Sequence, residues 1–163
     1  MSAGFHLAQI NIGRLAAPLG SPQLKDFVDN LDRINALAEA APGFVWRLTG
    51  EGDNATDIHA WDDPLRLLNM SVWTDLASLG AYVYRSSHIE VMRRRREFFE
   101  TPTEAFLALW WIPAGHVPTV AEALERLDDL RRQGPTPRAF TFREPFPPAA
   151  EAAPIQPVLD ECA

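Results

Sequence analysis

Asn69, Ser71 and Trp73 stand at alternate positions in the run LLNMSVW, with Leu68, Met70 and Val72 interleaved. On an extended strand that spacing puts an amide, a hydroxyl and an indole on one face and bare hydrocarbon on the other. The run from Phe5 to Ile12 repeats the pattern, Gln9 and Asn11 sharing a face with Phe5 and Leu7 against His6, Ala8, Ile10 and Ile12. A polar atom buried without a partner costs about 1–3 kcal/mol. Such faces therefore belong either to the solvated side of a half-exposed antiparallel sheet or to the wall of a cavity. In a cavity, an indole can stack on a flat ligand, an amide can donate to a phenolate oxygen, and a nearby imidazole can take the proton. His88 is the candidate base, with Tyr84 one helical turn before it and Met92 one turn after. A histidine hydrogen-bonded to backbone at a helix start would fill the same position without chemistry. The candidate catalytic residues are thus Asn69, Trp73 and His88, and the candidate ligand-binding residues Gln9, Asn11, Ser71, Tyr84 and Met92.

Other chemistries find no support in the spacing. His6, His59 and His116 are scattered, and no HxH or HExxH pattern unites them, so no metal is expected. There is no Gly-rich phosphate loop, dinucleotide fingerprint or nucleophile elbow, and no cofactor is expected. The single cysteine, Cys162, cannot form an internal disulfide. A net charge of −7, with Arg93 to Arg96 as the one basic cluster, argues against nucleic acid as a partner. The N-terminal residues have neither the basic start nor the sustained apolar run of a secretory signal, and no stretch is apolar enough for a membrane span. The expected location is the cytoplasm.

A chain of 163 residues suffices for one domain with a real core. After the first strand, Ser21 and Pro22 can open a helix whose apolar set Leu24, Phe27, Val28, Leu31, Ile34, Leu37 and Ala38 runs to a stop at Pro42 and Gly43. Phe44 to Thr49 reads as a second strand, Gly50 to Pro64 as a polar loop, and Leu67 to Trp73 as a third strand. Thr74 or Asp75 then starts a long helix reaching Phe99. Arg93 to Arg96 cannot share one face of it, since successive residues turn by about 100°. At least one guanidinium should lie near the packed side, unless its stem only snorkels along apolar neighbours. FLALWWI, from Phe106 to Ile112, is hydrophobic on both faces, as in a central strand or one covered by a second subunit. Thr119 and Glu122 form a capping box for a helix that ends at Gly134, and Ala139 to Arg143 reads as a short last strand. The resulting order, β α β β α β α β, is a ferredoxin-like split βαβ with an extra C-terminal helix and strand. Residues 1–144 make the domain, and the Pro- and Ala-rich residues 145–163 are expected to be a disordered tail.

The segments HLAQINIGRL, NLDRINALAEAAPGFVWRL, NMSVW, YRSSHIEVMRRRREFF, LWWIPAGHVPTVAEALERL and GPTPRAFTF together resemble the bacterial domain of unknown function 3291 family. That family lies in the dimeric α+β barrel superfamily, alongside the antibiotic biosynthesis monooxygenases. The resemblance implies an α+β homodimer in which two antiparallel sheets form a barrel, each subunit holding a pocket between its sheet and the helices on one face. It favours the cavity over the solvated face. It also gives FLALWWI and the hydrocarbon faces of strands one and three a twin subunit to bury against. Cofactor-free quinone-forming monooxygenases of the superfamily carry an Asn and a Trp four residues apart on this strand, and Asn69 and Trp73 match. Heme-degrading relatives are similar at Asn11 and His88, but Tyr82 to Tyr84 stand where their second Trp would be. The implied function is a cofactor-independent enzyme acting on an aromatic or polyketide-like molecule, as a monooxygenase or a cyclisation catalyst. The alternative is a non-catalytic binding or structural homodimer.

Overall fold

The computed structural model describes residues 4–50, 56, 60–85 and 88–148, the side chains of His88 and Val91 excepted. Most of the expected polar loop at Gly50–Pro64, and the tail beyond residue 148, lie outside the described residues. Four strands, β1 (Phe5–Arg14), β2 (Phe44–Arg47), β3 (Arg66–Trp73) and β4 (Leu107–Pro113), form one open sheet in the order β2-β3-β1-β4. All neighbours are antiparallel. Helix α1 (Lys25–Ala40) joins β1 to β2, while α2 (Leu76–Arg85), α3 (His88–Arg93) and α4 (Arg95–Phe98) fill the β3 to β4 connection. Helix α5 (Val120–Gln133) follows. This is the ferredoxin-like order with one helix added, and the sheet is not closed into a barrel.

The alternation of side chains sorts the sheet into two faces. Asn11 lies opposite Asn69 and Gln9 opposite Ser71, so the polar positions of β1 and β3 share one face, beneath α1 to α4. Ala8, Ile10, Ile12, Leu68, Met70, Val72, Ala108, Trp110 and Ile112 make the other face, and they pack with Ala123, Leu127 and Leu130 of α5. Helix α5 therefore occupies the face on which a second sheet would dock. Its placement is fixed at the N-terminus. The Thr119 hydroxyl accepts from the Glu122 backbone N–H at 3.0 Å, as the capping box requires. The Glu122 carboxylate, however, accepts from the buried Trp110 indole at 2.9 Å and meets His116 Nε2 at 2.7 Å, tying the helix to the sheet. Gly134, at φ 75°, ends the helix in a conformation that β-carbon-bearing residues rarely adopt.

Several expectations are corrected by this arrangement. FLALWWI is neither central nor in need of a partner, because β4 is an edge strand covered on both faces by its own chain. Trp110 and Ile112 lie against α5, and Leu109 and Trp111 pack with Phe140, Phe142 and Phe146. The hydrocarbon faces of β1 and β3 are likewise buried within the chain, Ile10 and Met70 being inaccessible to solvent. The expected last strand reduces to two isolated bridges: Ala139 pairs with Thr136, and Phe140 exchanges backbone hydrogen bonds of 2.9 and 2.8 Å with Leu109, shielding the open edge of β4. The start of the expected disordered tail is packed, since the Trp111 indole donates to the Phe146 carbonyl at 2.7 Å and Phe146 lies on Phe140. The Ser21 hydroxyl donates to the Pro18 carbonyl rather than capping a helix, and a 3-10 turn at Pro22–Leu24 leads into α1. The long helix after β3 is divided. Phe99 leaves α4 in extended conformation, so that Phe98 and Phe99 both reach Phe27, at 5.5 and 5.3 Å between centroids. Adjacent residues within a continuous helix would diverge by about 100°.

Leu127 is central to the contact between α5 and the sheet and is almost fully buried. Leu127→Ala is expected to lower the unfolding free energy by about 2–5 kcal/mol in urea denaturation. A loss within error would show that α5 does not seal this face.

Candidate functional site

The central pair β1 and β3 supplies the floor of the site. Across it, the Gln9 side-chain NH2 donates to Asn69 Oδ1 and to Ser71 Oγ, both at 2.8 Å. Asn11 Nδ2 donates to Gln9 Oε1 at 3.1 Å and to Asn69 Oδ1 at 3.3 Å. The Trp73 indole N–H donates to Ser71 Oγ at 2.8 Å. Gln9 and Ser71 are buried, and this network gives their polar atoms the partners that burial demands. Asn69 Oδ1 accepts two hydrogen bonds, whereas the Asn69 NH2 meets no acceptor among the described residues. Two donors on its carbonyl polarise the amide and strengthen it as a donor in turn.

Above this floor lies a cavity of about 280 Å³. Phe27, Leu31, Ile34 and Ala38 of α1 and Leu79, Tyr82 and Val83 of α2 form much of its roof. Met92, Phe98, Phe99, Phe106 and Phe142 close the sides, and Gln9, Asn11, Asn69, Ser71 and Trp73 all line it. The helical set on α1 comes from its amphipathic spacing, which turns Leu31, Ile34 and Ala38 toward the sheet. Trp73 is fully buried, stacked on Tyr82 at 5.1 Å and met edge-on by Phe44 at 5.5 Å. With its N–H committed to Ser71, the indole serves as a wall rather than as a donor.

The remaining expected residues fall in different places. Met92 lines the cavity. Tyr84 does not; it is half exposed and stands edge-on to Phe142, one of the lining residues. His88 is the first residue of α3, and its side chain lies outside the described residues. His59 lies outside them too. Among the described residues, no group of three His, Cys, Asp or Glu side chains could hold a metal ion. No helix among them is long and apolar enough to cross a membrane.

Sequence reasoning left three contributors unplaced. Tyr82 donates its hydroxyl to the Ile34 carbonyl at 3.2 Å, bridging α2 to α1. Burial pushes its phenol up to about 12, against a partial pull downward from Arg47. Tyr82 is therefore neutral at ordinary pH. Arg47 lines the cavity with its guanidinium paired to Glu39 at 3.0 Å. Arg95 answers which of the four consecutive arginines turns inward: it lines the cavity, half-buried, with its guanidinium over the rings of Phe99 and Phe106 at 4.7 and 4.6 Å. The signal for an inward arginine was the run itself. Choosing among the four needs the break at Arg94, which spacing does not show.

A family model described as Domain of unknown function (DUF3291) matches residues 6–156. The chain belongs to the DUF3291 family. No curated protein matches it. Among solved structures, this DUF3291 chain is similar to PA3566 from Pseudomonas aeruginosa at 12% identity, with a TM-score of 0.46, over 72% of this chain and 100% of that one. It is similar to the NE2512 protein of unknown function from Nitrosomonas europaea at 15% identity, with a TM-score of 0.44, over 72% and 99%. It is also similar to SnoaB, a cofactor-independent oxygenase from Streptomyces nogalater, at 14% identity, with a TM-score of 0.43, over 71% and 96%. At identities and scores this low, nothing about activity passes from those proteins to this DUF3291 chain.

The raised phenol of Tyr82 makes a stability prediction with a definite sign. The native state favours the neutral phenol, so the unfolded chain ionises first as pH rises from the ordinary value of 10.0. Stability is fully present below that value and should fall as pH climbs toward about 12. In Tyr82→Phe, urea midpoints measured across this window should lose that part of the decline. An unchanged decline would place the titrating group elsewhere.

Proposed function

We propose that this chain is a cofactor-independent enzyme acting on a planar, mostly apolar molecule of aromatic or polyketide-like type, bound between the sheet and helices α1 to α4. The observation that carries the reading is the Asn69 amide. It lines an otherwise largely apolar cavity, its carbonyl polarised by Gln9 and Asn11 and its NH2 without an acceptor among the described residues. Preorganised donors in a site of low dielectric stabilise an oxyanion more than water does.

In this proposal the substrate is a phenol or enol whose ionised oxygen accepts from Asn69. Trp73, held by Ser71 and Tyr82, supplies a rigid wall, and Gln9, Asn11 and Met92 complete the contact surface. His88, four residues before Met92 on α3, is the proposed proton acceptor. As a monooxygenase the chain would take a phenol and dioxygen to a quinone and water, one oxygen atom entering the ring and the other leaving as water with both hydrogens lost. As a cyclisation catalyst it would need no oxidant, since the enolate carbon attacks a carbonyl within the same molecule.

One observation favours the second, non-catalytic reading. The titratable groups among the described lining residues are Tyr82, Arg47 and Arg95, and none of them is a base near neutral pH. A binding protein needs none.

Oxygen uptake and quinone absorbance with a panel of hydroxyarenes test the catalytic reading. Asn69→Ala should lower turnover by about 10²-fold while costing only about 1–2 kcal/mol of stability. His88→Ala should remove the acidic limb of the pH profile. Unchanged turnover in Asn69→Ala overturns the oxyanion role. Tight binding of a phenol with no turnover selects the binding protein.

A further inference from the structure

The charge around the cavity does not follow the charge of the chain. Acidic residues outnumber basic ones by 22 to 15, yet the described residues lining the cavity include Arg47 and Arg95 and no carboxylate. Arg47 has Glu39 as its partner, and Arg94, next to Arg95, has Asp26 and Glu97. Arg95 has no carboxylate within ion-pair distance among the described residues, and its one hydrogen bond there is a long 3.4 Å contact from Nη2 to the Ile12 carbonyl. Burial without such a partner pulls its guanidinium below the ordinary value, although an arginine keeps its charge.

The setting of that charge is specific. The guanidinium carbon stands over the rings of both Phe99 and Phe106, at 4.7 and 4.6 Å, contacts that restrain the group while the long bond to Ile12 is its one hydrogen bond among the described residues. Gly13 makes the approach possible. A β-carbon there would come within 2.6 Å of the Phe99 ring and 3.1 Å of Arg95 Nη2. Gly13 lies two residues along β1 from Asn11, on the same face, so the guanidinium sits roughly 7 Å further along the strand than the amide network. A half-buried guanidinium with no carboxylate partner among the described residues and N–H groups to spare is suited to a bidentate contact with an anionic oxygen pair, or a single contact with a phenolate.

We propose that Arg95 is the anion-recognition residue of this cavity. The ligand is a small, flat molecule that enters carrying a negatively charged oxygen, seats it on the guanidinium N–H groups, and lays its apolar body along β1 toward Asn11 and Asn69. The proposal rests on the reading of the cavity as a small-molecule site and is independent of whether catalysis follows.

Calorimetric titration of the full chain with 2-naphthoate, its neutral isostere 2-naphthamide, and ionised 4-nitrophenol tests it. The wild type should bind 2-naphthoate at least about tenfold tighter than 2-naphthamide. Arg95→Gln should abolish that preference, the affinity for 2-naphthoate falling to that for 2-naphthamide, and Arg95→Lys should retain part of it. Ionised 4-nitrophenol binding as tightly as 2-naphthoate assigns the site to phenolates as well as carboxylates, and weaker binding assigns it to carboxylates. Equal affinity of the wild type for acid and amide, or a preference that survives in Arg95→Gln, overturns the proposal and leaves the cavity reading intact. Failure of the wild type to bind any of the three overturns both. Should Arg95→Gln not fold, the Arg95 Nε–H resonance of the wild type decides. It should shift with 2-naphthoate and not with 2-naphthamide, and a resonance that ignores both rejects the role.

Discussion

The structure depends on a row of three hydrogen-bonded amides, Gln9, Asn11 and Asn69, and the Ser71 hydroxyl, set into the middle of an otherwise hydrophobic sheet. Gln9 and Ser71 are buried, and each would be costly there if the other were displaced. A slip of β1 against β3 by one residue would turn Gln9 and Asn11 into the core beneath α5 and bring Ile10 to the cavity. The polar row therefore fixes register as firmly as the apolar face does. It also favours an open cavity. Collapse of α1 onto the sheet would strip water from the Asn69 NH2 and offer only the side chains of Leu31, Ile34 and Ala38 in exchange.

The second constraint is the covering of the hydrocarbon face. In a two-layer fold one sheet face must find apolar cover, and that cover can come from a partner or from the same chain. Here Ala123, Leu127 and Leu130 supply it. The Glu122 carboxylate makes the choice of position definite, because it satisfies the Trp110 indole from the first turn of the helix. That is why the extra helix, which looks like an appendage in the element order, controls which surfaces remain for other contacts. It leaves the cavity on the opposite face untouched.

Much of this was legible in the sequence because strand alternation is a short-range rule. Asn69, Ser71 and Trp73 had to share a face whatever lay above them, and the capping box at Thr119 and Glu122 marked the start of α5 within a residue. What was not legible depended on long-range partners. Nothing near FLALWWI in the chain says that residues 120–130 cover one side of it and Phe140 to Phe146 the other. The break at Arg94 is set by the packing of Phe98 and Phe99 against Phe27, some seventy positions away, so the inward arginine could be anticipated as one of four but not named. The turn spacing of Tyr84 from His88 points to the site only within one unbroken helix, and α2 ends at Arg85 before α3 begins at His88.

The electrostatics of the cavity and the lack of an evident base among its described lining residues can be read as one property. A site built from amide N–H groups and a guanidinium, with hydrocarbon elsewhere, lowers the free energy of an anion relative to its conjugate acid. A phenol or enol bound there would therefore ionise more readily than in water, and a ligand already ionised would need no proton acceptor at all. The demand on His88 is then correspondingly smaller: it would have to receive a proton made more acidic by Asn69 and Arg95, or only shuttle one to solvent. Tyr82, held neutral by burial, cannot supply a competing negative charge at ordinary pH. Among the described residues the cavity lining carries donors and no carboxylate, so on the proposed reading it sorts ligands by the sign of their charge before any step of chemistry begins.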